Sequence, residues 1–596
     1  MTVSGFFLGV ERSLTGRAWR PRLDPSGEAR ALAIAQMGGQ GEMLARVLAG
    51  RGVGLDEVAR HLEPTLRELM PDPFTLRDME AATARLLTAV QRRERVAIFG
   101  DYDVDGAASA ALLSEYLEAC GCPTLIHIPD RVAEGYGPNS DAMAAFAAAG
   151  ATLVVMVDCG AVSHEPIAAA RRLGLDAIVF DHHQAPENLP EALALVDPNR
   201  QDDLSGLGHL CAAGVVFMGL VALNRALREA GFFDARAAPD LLGALDLVAL
   251  ATVADVVPLI GLNRAFVLRG LASMRQRKRP GLAALFDAAA ADGPPRAYHL
   301  GFLIGPRINA GGRIGDAALG ARLLTTRDEI KGREIAAELD RLNRARQQIE
   351  LAVLAEAEAE ALLALGFEER GAAVVVAGEG WPPGVVGLIA ARLKERFGRP
   401  AFALAVNGRE AVGSGRSIHG VDLGRVVRGA VEMGLLVKGG GHAMAAGVTL
   451  AKDRIGEFRA FLEERLALQV FEARAGAGLM IDAALTAAGA TPALAHSLEA
   501  AGPFGAGNPE PIFALSRHRL VDVAPVGADH LRLRAVAGDG QAVEAIAFRA
   551  VGKPLGEGLL KLRGSAIHLA GSLAINRYGG REKAQIRVLD AAAVQD

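Results

Sequence analysis

Cysteine is scarce, with four (Cys120, Cys122, Cys159, Cys211) among 596 residues. That excludes a secreted disulfide framework, and one Cys-x-Cys offers too few thiolates for a structural zinc site. Neither sign of charge dominates: 64 Lys and Arg against 69 Asp and Glu leave a net charge of −5. A uniformly basic nucleic-acid coat is excluded, whereas a local basic groove on an acidic body is not. Long apolar runs are missing too. The most apolar stretch, 246–262, carries Asp246, Asp255 and Pro258, where a membrane helix wants about 20 apolar residues with few charges. Residues 1–15 lack a basic segment followed by a sustained apolar one, so no export signal is expected and the reducing cytoplasm is the expected compartment. There is no fixed-period repeat and no low-complexity linker. What remains is a chain 51% hydrophobic, long enough for about three or four ordinary domains.

Residues 1–75 mix arginine-rich and glycine-punctuated segments, closed by the Met70-Pro-Asp-Pro73 turn cluster, and are read as an N-terminal appendage. From about 80 to 260, apolar runs at 96–99, 125–128, 153–157, 177–180 and 194–196 alternate with Ala/Leu-periodic segments of helical spacing, notably 107–117 and 164–173. Short continuous apolar strands alternating with helices predict a parallel α/β sheet buried on both faces. A charged, Ala-rich pattern over 327–365 predicts one long helix joining two lobes. A second α/β unit is expected over 370–470, with strands at 372–377 and 401–405 around a helix at 384–397. From 475 to 594, alternating stretches broken by Gly538-Asp-Gly540 and Tyr578-Gly-Gly580 predict an antiparallel sheet or small barrel. The basic run 275–279 reads either as a solvated helix end or as the lining of a strand path.

The aspartates are informative through their positions. The run 96–100 leads into Asp101-Tyr-Asp103-Val-Asp105-Gly106; 153–157 leads into Asp158; 177–180 leads into Asp181-His182-His183. In an open parallel sheet the ligand crevice lies outside the carboxyl ends of the strands, so three strands are expected to deliver acidic and imidazole groups to one rim. A spacing of two puts Asp101, Asp103 and Asp105 on one side of an extended segment, and Gly106 permits a tight turn into a helix. Carboxylates held so close are costly to ionise together, and a divalent cation compensates. An oxygen-rich set with imidazole and no thiolate suits magnesium or manganese, with room for two ions. Asp197, in Asp-Pro-Asn, is read as a turn residue.

Gly100 to Gly106, Asp158-Cys-Gly160, Asp181-His-His183 and Thr252-Val-Ala-Asp-Val-Val-Pro258 resemble the four motifs of the DHH phosphoesterase superfamily. Further segments are similar to the RecJ family of bacterial single-strand-specific 5′ to 3′ DNA exonucleases: Pro129-Asp-Arg131 with Glu134-Gly-Tyr-Gly137, the 305–313 segment GPRINAGGR, Gly413-Ser-Gly-Arg-Ser417, Gly439-Gly-Gly-His442 and the 503–510 segment PFGAGNPE. The resemblance covers roughly residues 70–595 and implies α/β architecture throughout: a DHH catalytic domain (76–326), a connecting helix (327–366), a smaller DHH-associated domain (367–472) and an OB-like nucleic-acid-binding barrel (473–596).

Carried over by position, the resemblance implies Asp103, Asp105, Asp158, His182 and Asp255 as ligands of manganese or magnesium, with two ions expected and Asp101 beside them. It implies that His183 contacts the scissile phosphate and that Asp181 orients the site. Arg131, Arg307, Asn309 and Arg313 are implied phosphate contacts; Ser414 and Arg416 would hold the 5′ end, and His442 joins the DNA-binding set. The activity implied is metal-dependent removal of mononucleotides from the 5′ end of single-stranded DNA, in recombination and repair. A single-strand-binding protein and a helicase are expected partners, no membrane is, and the chain is expected to be monomeric. Two positions depart from the family: Pro382 follows Trp381 where members usually carry His, and Ala212 stands where they carry Gly.

Overall fold

The structure is a computed structural model that describes residues 5–37, 39–130, 134–135, 137–366, 370–578 and 581–594. It divides into two compact units, one of residues 70–257 and 266–476, the other of residues 1–69, 258–265 and 477–596.

In the first unit, the apolar runs after residue 95 carry nothing polar for either face to show to water, and they form an all-parallel five-stranded sheet. Its strands are β1 (Val96–Gly100), β2 (Thr124–His127), β3 (Leu153–Val157), β4 (Asp176–Phe180) and β5 (Ala194–Val196), in the order β2-β1-β3-β4-β5. β1 and β3 are buried along their whole length. The strand order reverses between them, which opens a crevice at their carboxyl ends. Helices α1 (Val104–Ala119), α2 (Ala212–Glu229) and α3 (Leu245–Ala254) converge on that crevice. The expected strands and helices are present, with ends differing by a residue or a few.

Helix α3 covers the first part of the apolar stretch 246–262, and its charge is managed inside the protein. Arg279 donates to Asp246 (2.9 Å) and to Glu115, and to the Leu324 carbonyl at 2.7 Å. Arg279 is therefore a largely buried clamp; a wholly solvated basic run is corrected at this residue. Among the described residues, no helix is long and apolar enough to cross a membrane.

Helix α4 (Gly305–Ile314) follows, and then α5 (Glu329–Leu365), 37 residues long and N-capped by Asp328, whose carboxylate accepts from Ile330 N and Lys331 N. Its buried stripe of Leu339, Leu342, Val353, Ala357, Ala361 and Leu365 packs in turn on the lobe of the parallel sheet and on α6 (Pro383–Phe397). The second lobe is a five-stranded mixed sheet of β6 (Val374–Glu379), β7 (Ala401–Asn407), β8 (Glu410–Arg416), β9 (Lys438–His442) and β10 (Ala445–Ala451), in the order β9-β10-β8-β7-β6. Only β6 and β7 run parallel.

In the second unit, the C-terminal strands close into a barrel. Phe513–Val526, His530–Val536, Ala542–Ala547, Arg581–Ala593 and Ala566–Tyr578 pair in that order, and the last returns to the first. Closure requires one parallel pairing, Ala545 with Ile586, so a purely antiparallel tail is corrected to a mixed barrel. The N-terminal segment is no loose appendage. Leu44, Val47 and Leu48 share one hydrophobic core with Leu515, Leu531 and Leu569 of the barrel. Ala18–Pro21 pairs with Gly478–Ile481, and Trp19 Nε1 donates to Asp590 Oδ2 at 3.1 Å. Residues 258–265 belong to the same unit: Leu259 N donates to Ala506 O, and the buried Arg264 donates to the carbonyls of His61, Ala500 and Ala501.

Two outcomes follow from the shared core. Leu48→Ala should cost about 2–5 kcal/mol of unfolding free energy, read by denaturant titration. Deleting 477–596 should make residues 1–69 labile to trypsin; protection equal to that in the full chain, read by mass spectrometry of the digest, would reject the shared core.

Candidate metal and phosphodiester site

The loop after β1 turns sharply because Gly106 lets the first turn of α1 close on it: a Cβ at Gly106 would sit 2.3 Å from the Asp101 carbonyl oxygen. Asp103 caps α1, its Oδ1 accepting from Asp105 N at 2.8 Å and Gly106 N at 3.2 Å. Asp105, 1% exposed, has its two carboxylate oxygens aimed in part at the N-terminus of α2. Ala212 N reaches Oδ2 at 2.7 Å and Ala213 N reaches Oδ1 at 2.8 Å. A helix N-terminus offers backbone donors and a positive dipole end, so a buried carboxylate is accepted there. This explains the departure at 212. The position supplies an N–H, which alanine has as well as glycine.

Asp158 follows β3 with φ +62°, a left-handed conformation uncommon for a residue with a Cβ. The turn aims its carboxylate across the crevice. His182 Nε2 stands 3.3 Å from Asp158 Oδ1, 3.7 Å from Asp105 Oδ2 and 3.7 Å from Asp255 Oδ2, the last contributed by the residue that ends α3. The crevice thus collects side chains from β1, β3, β4 and α3 around one imidazole. Three overlapping groups have ligand atoms within 4.8 Å of one another: Asp158, His182 and His183; Asp105, His182 and Asp255; Asp101, Asp103 and Asp158.

The electrostatics of this cluster favour a cation. Burial, and then Asp105, Asp103, Asp101 and Asp255, push Asp158 well above the usual carboxylate range. Burial and the charges of Asp105 and Asp103 push Asp255 up to about 8, and burial also raises Asp105. Asp158 Oδ1 and His182 Nε2 are buried without a hydrogen-bond partner. A buried acceptor and a ring nitrogen left unpaired among carboxylates are expected to face a metal ion, and the donor set of oxygens and one imidazole suits a hard divalent cation. The residues fit the group.

Asp181 behaves differently from its neighbours. Its Oδ1 accepts from His182 N (2.8 Å), His183 N (3.2 Å) and His183 Nδ1 (2.8 Å), and its Oδ2 accepts from Ala161 N (3.0 Å). Although burial opposes it, these bonds and the His183 charge hold Asp181 down at about 2. In return, and against its own desolvation, the bond and charge of Asp181 raise His183 to about 9, which leaves it a cationic donor at neutral pH. Asp197 is fully buried, and its Oδ1 accepts from Asn199 N, as its turn position predicts. Burial and the Asp181 charge raise Asp197 to about 7. Asn199, unremarked in the sequence, donates Nδ2 to His182 O at 2.6 Å and Gly208 O at 3.1 Å, tying the backbone of the histidine pair to the next loop. Its only sequence signal is its place in Asp197-Pro-Asn199.

Of the expected phosphate-binding residues, the described ones lie on α4, β8 and β9. Asn309 Oδ1 accepts from Val104 N at 3.1 Å, so α4 is fastened to the metal loop itself. Arg313 donates to Gly384 O at 2.9 Å, at the start of α6, where a Cβ on Gly384 would meet the Arg313 carbonyl at 2.2 Å. Arg307 is committed to Asp340 of α5 (3.0 Å) and Leu303 O (2.7 Å). On β8, Arg416 donates to Ser414 Oγ (2.7 Å) and Gly415 O (2.9 Å), and Gly387 of α6 leaves room beside its guanidinium. His442 ends β9 and accepts from Met444 N; burial and the charges of Arg416 and His183 lower its pKa. Arg131 lies outside the described residues. Pro382 stands at the cap position just before α6, its carbonyl accepting from Val385 N at 3.1 Å, while Trp381 is buried and donates to Glu356 at 2.9 Å.

Family models match three segments: the DHH family N-terminal domain over residues 95–252, the DHHA1 domain over 370–468 and the RecJ OB domain over 481–590. The single-stranded-DNA-specific exonuclease RecJ of Salmonella typhimurium is 37% identical over 567 residues, covering 92% of this chain and 95% of its own. The chain belongs to the RecJ family. RecJ of Escherichia coli is 36% identical over 563 residues, covering 91% of this chain and 94% of its own. Among solved structures, the crystal structure of RecJ in complex with Mn2+ from Thermus thermophilus aligns with a TM-score of 0.79 at 29% identity, covering 97% of this chain and 80% of that one. The Mg2+ complex of the same RecJ aligns with a TM-score of 0.73.

The raised pKa of Asp255 makes a prediction whose sign is fixed. A carboxyl near 8 in the metal-free fold, against about 3.9 when free, contributes stability that is full below about pH 4 and lost as pH rises through about 8. In EDTA, Asp255→Asn should therefore melt higher than wild type, with a gap that widens from pH 5 to pH 9. Saturating manganese should invert the order at pH 8, because a cation bound only to the native state stabilises it by mass action. A mutant that melts lower at pH 9 in EDTA would show that Asp255 is not repelled by its neighbours.

Proposed function

We propose that this chain hydrolyses single-stranded DNA from its 5′ end to mononucleotides, using manganese or magnesium, in recombination and DNA repair. The observation that carries this reading is the convergence of Asp105, Asp158 and Asp255 on His182 Nε2, at the switch point of a parallel sheet. Asp103, Asp105, Asp158, His182 and Asp255 would hold the metal, with Asp101 beside them, and the shared members Asp158 and His182 favour two ions. When bound, the metal supplies an activated water and stabilises the charge that develops on the phosphoryl oxygens. His183, kept cationic and oriented by Asp181, is placed to donate to a non-bridging oxygen of the scissile phosphate. Asp181 acts through His183 and is a positioning residue.

On the second lobe, Ser414 and Arg416 project from β8 beside α6 and are suited to a terminal 5′ phosphate, with His442 next to them. Asn309 and Arg313 hold the wall between the lobes, Arg307 braces that wall against α5, and Arg131 completes the set by family resemblance. The barrel unit supplies grip on longer strands, since an OB fold offers a groove for backbone phosphates and stacked bases. A DHH enzyme acting on dinucleotides would have no use for that unit. The same family resemblance supports a cytoplasmic monomer working with a single-strand-binding protein and a helicase.

Three experiments test the reading. Strands labelled at the 5′ or the 3′ end should release the 5′ label first as mononucleotide, and not at all in EDTA. Asp158→Ala should lose about a hundred- to a thousandfold in kcat, the worth of one charge-stabilising group, while still retaining strands on a filter. Arg416→Ala should slow 5′-phosphorylated substrates more than 5′-hydroxyl ones; equal slowing of both would take the terminal phosphate away from Arg416.

A further inference from the structure

Helix α4 continues a longer helical stretch, Ala297–His299 followed by one π-helical turn, Leu300–Ile304. One side of this stretch is buried: Ala297, His299, Leu300, Ile304 and Ile308 are at most 8% exposed. The opposite side is open. Tyr298 is 59% and Phe302 70% exposed, and their rings stack with centroids 5.1 Å apart and planes inclined by 25°. Among the described side chains, four phenylalanines and tyrosines are more than half exposed, the others being Phe471 and Phe548. Single exposed apolar residues need no explanation, but here an exposed ring of a π-helical turn, Phe302, stacks on one of the helical turn before it, and π-helical turns are frequent at functional sites.

The pair lies in line with the residues that hold the active site. At about 100° per residue, positions 306, 309 and 313 of α4 fall on one face, and Phe302 lies on the π-helical turn that leads into that row. Asn309 and Arg313 of that row bond to Val104 of the metal loop and Gly384 of α6. Gly301 and Gly305 keep the same stretch close to α3, where added Cβ atoms would meet Val253 and Ala254, just before Asp255. Phe302 is seven residues from Asn309, about 10 Å at the helical rise, and Tyr298 is about 16 Å away. Arg296, at the start of the stretch, is exposed.

The geometry points to Tyr298 and Phe302 as a stacking platform for unpaired nucleobases of the incoming strand, downstream of the scissile phosphate. The inference rests on the single-strand reading above and adds a site to it. With stacked bases about 3.4 Å apart, the spacing along one strand of a duplex, the platform would meet about the third to fifth nucleotides. A π-face accepts any base, so the contact gives grip without sequence preference, and Arg296 is placed to neutralise a phosphate beside it. The platform makes no contact with the reacting atoms, so its effect belongs in KM.

The test uses the full chain with a 12-nucleotide strand and with a dinucleotide, comparing wild type, Phe302→Leu, Phe302→Trp and Tyr298→Ala/Phe302→Ala. The double variant should raise KM for the 12-mer about tenfold with kcat within twofold, and the loss should vanish on the dinucleotide, which is too short to reach. In EDTA, 2-aminopurine at nucleotides 3–5 should be quenched by wild type and by Phe302→Trp, and much less by Phe302→Leu, which keeps the bulk and lacks the ring. Nucleotide 10 should show no such dependence. Equal KM values on the 12-mer, equal losses on both substrates, or a double variant that changes only the sedimentation of the protein would each overturn the platform, the last assigning the pair to contact with another chain. Wild type that digests neither strand would instead overturn the exonuclease reading itself.

Discussion

Repulsion among carboxylates is the constraint on which this molecule is organised. Asp101, Asp103, Asp105, Asp158 and Asp255 are drawn from two strand ends and one helix end into one crevice. No arrangement of protein groups alone makes that comfortable, as the upward shifts of Asp105, Asp158 and Asp255 record. The fold holds the carboxylates together in spite of the cost by anchoring three of them to something rigid. Asp103 caps a helix, Asp105 rests on the N-terminus of another, and Asp158 is fixed by a left-handed turn. The stored unfavourable energy is what makes a divalent cation bind selectively to the folded state.

The two histidines show how position alone separates roles. They are adjacent in sequence, their rings 4.7 Å apart, yet His182 turns its Nε2 to three carboxylates while His183 gives its Nδ1 to Asp181. Asp181 can bind His183 tightly because four donors surround it and keep it ionised. Asp197, close by and sharing the same burial, is pushed the opposite way to about 7. Paired acidic groups whose environments drive them apart are how a site keeps one charge permanent and leaves another responsive.

Much of this was legible in the sequence, because the residues concerned end apolar strands and strand ends are recognisable from composition. The runs before Asp101, Asp158 and Asp181 predicted both the sheet and the rim where its ligands meet. The N-terminal half of the barrel unit was not legible: helices such as Glu42–Gly50 show an apolar face without naming its partner, here more than 450 residues away in Leu515 and Leu531. The long strand Phe513–Val526 was missed because Arg517, His518 and Arg519 interrupt its alternation; a bulge there bends the strand between two neighbours. Nor could Asn199 or the amides of Ala212 and Ala213 be read, since backbone donors have no signature and one asparagine in a loop looks like any other.

The excursion of residues 258–265 bears on how such a protein can be taken apart. The chain enters the unit built on the barrel just after Asp255, leaves Leu259, Leu262 and Arg264 in its interior, and returns to the catalytic unit at Phe266. The two units are therefore joined at four places in the covalent chain. No single splice could add or remove the barrel cleanly, because a protein ending at residue 476 would keep an inward-facing peptide whose host had gone. The barrel unit is thus assembled from three separate stretches of chain, one of them lying between two stretches of the catalytic unit, and in sequence it is no detachable cassette.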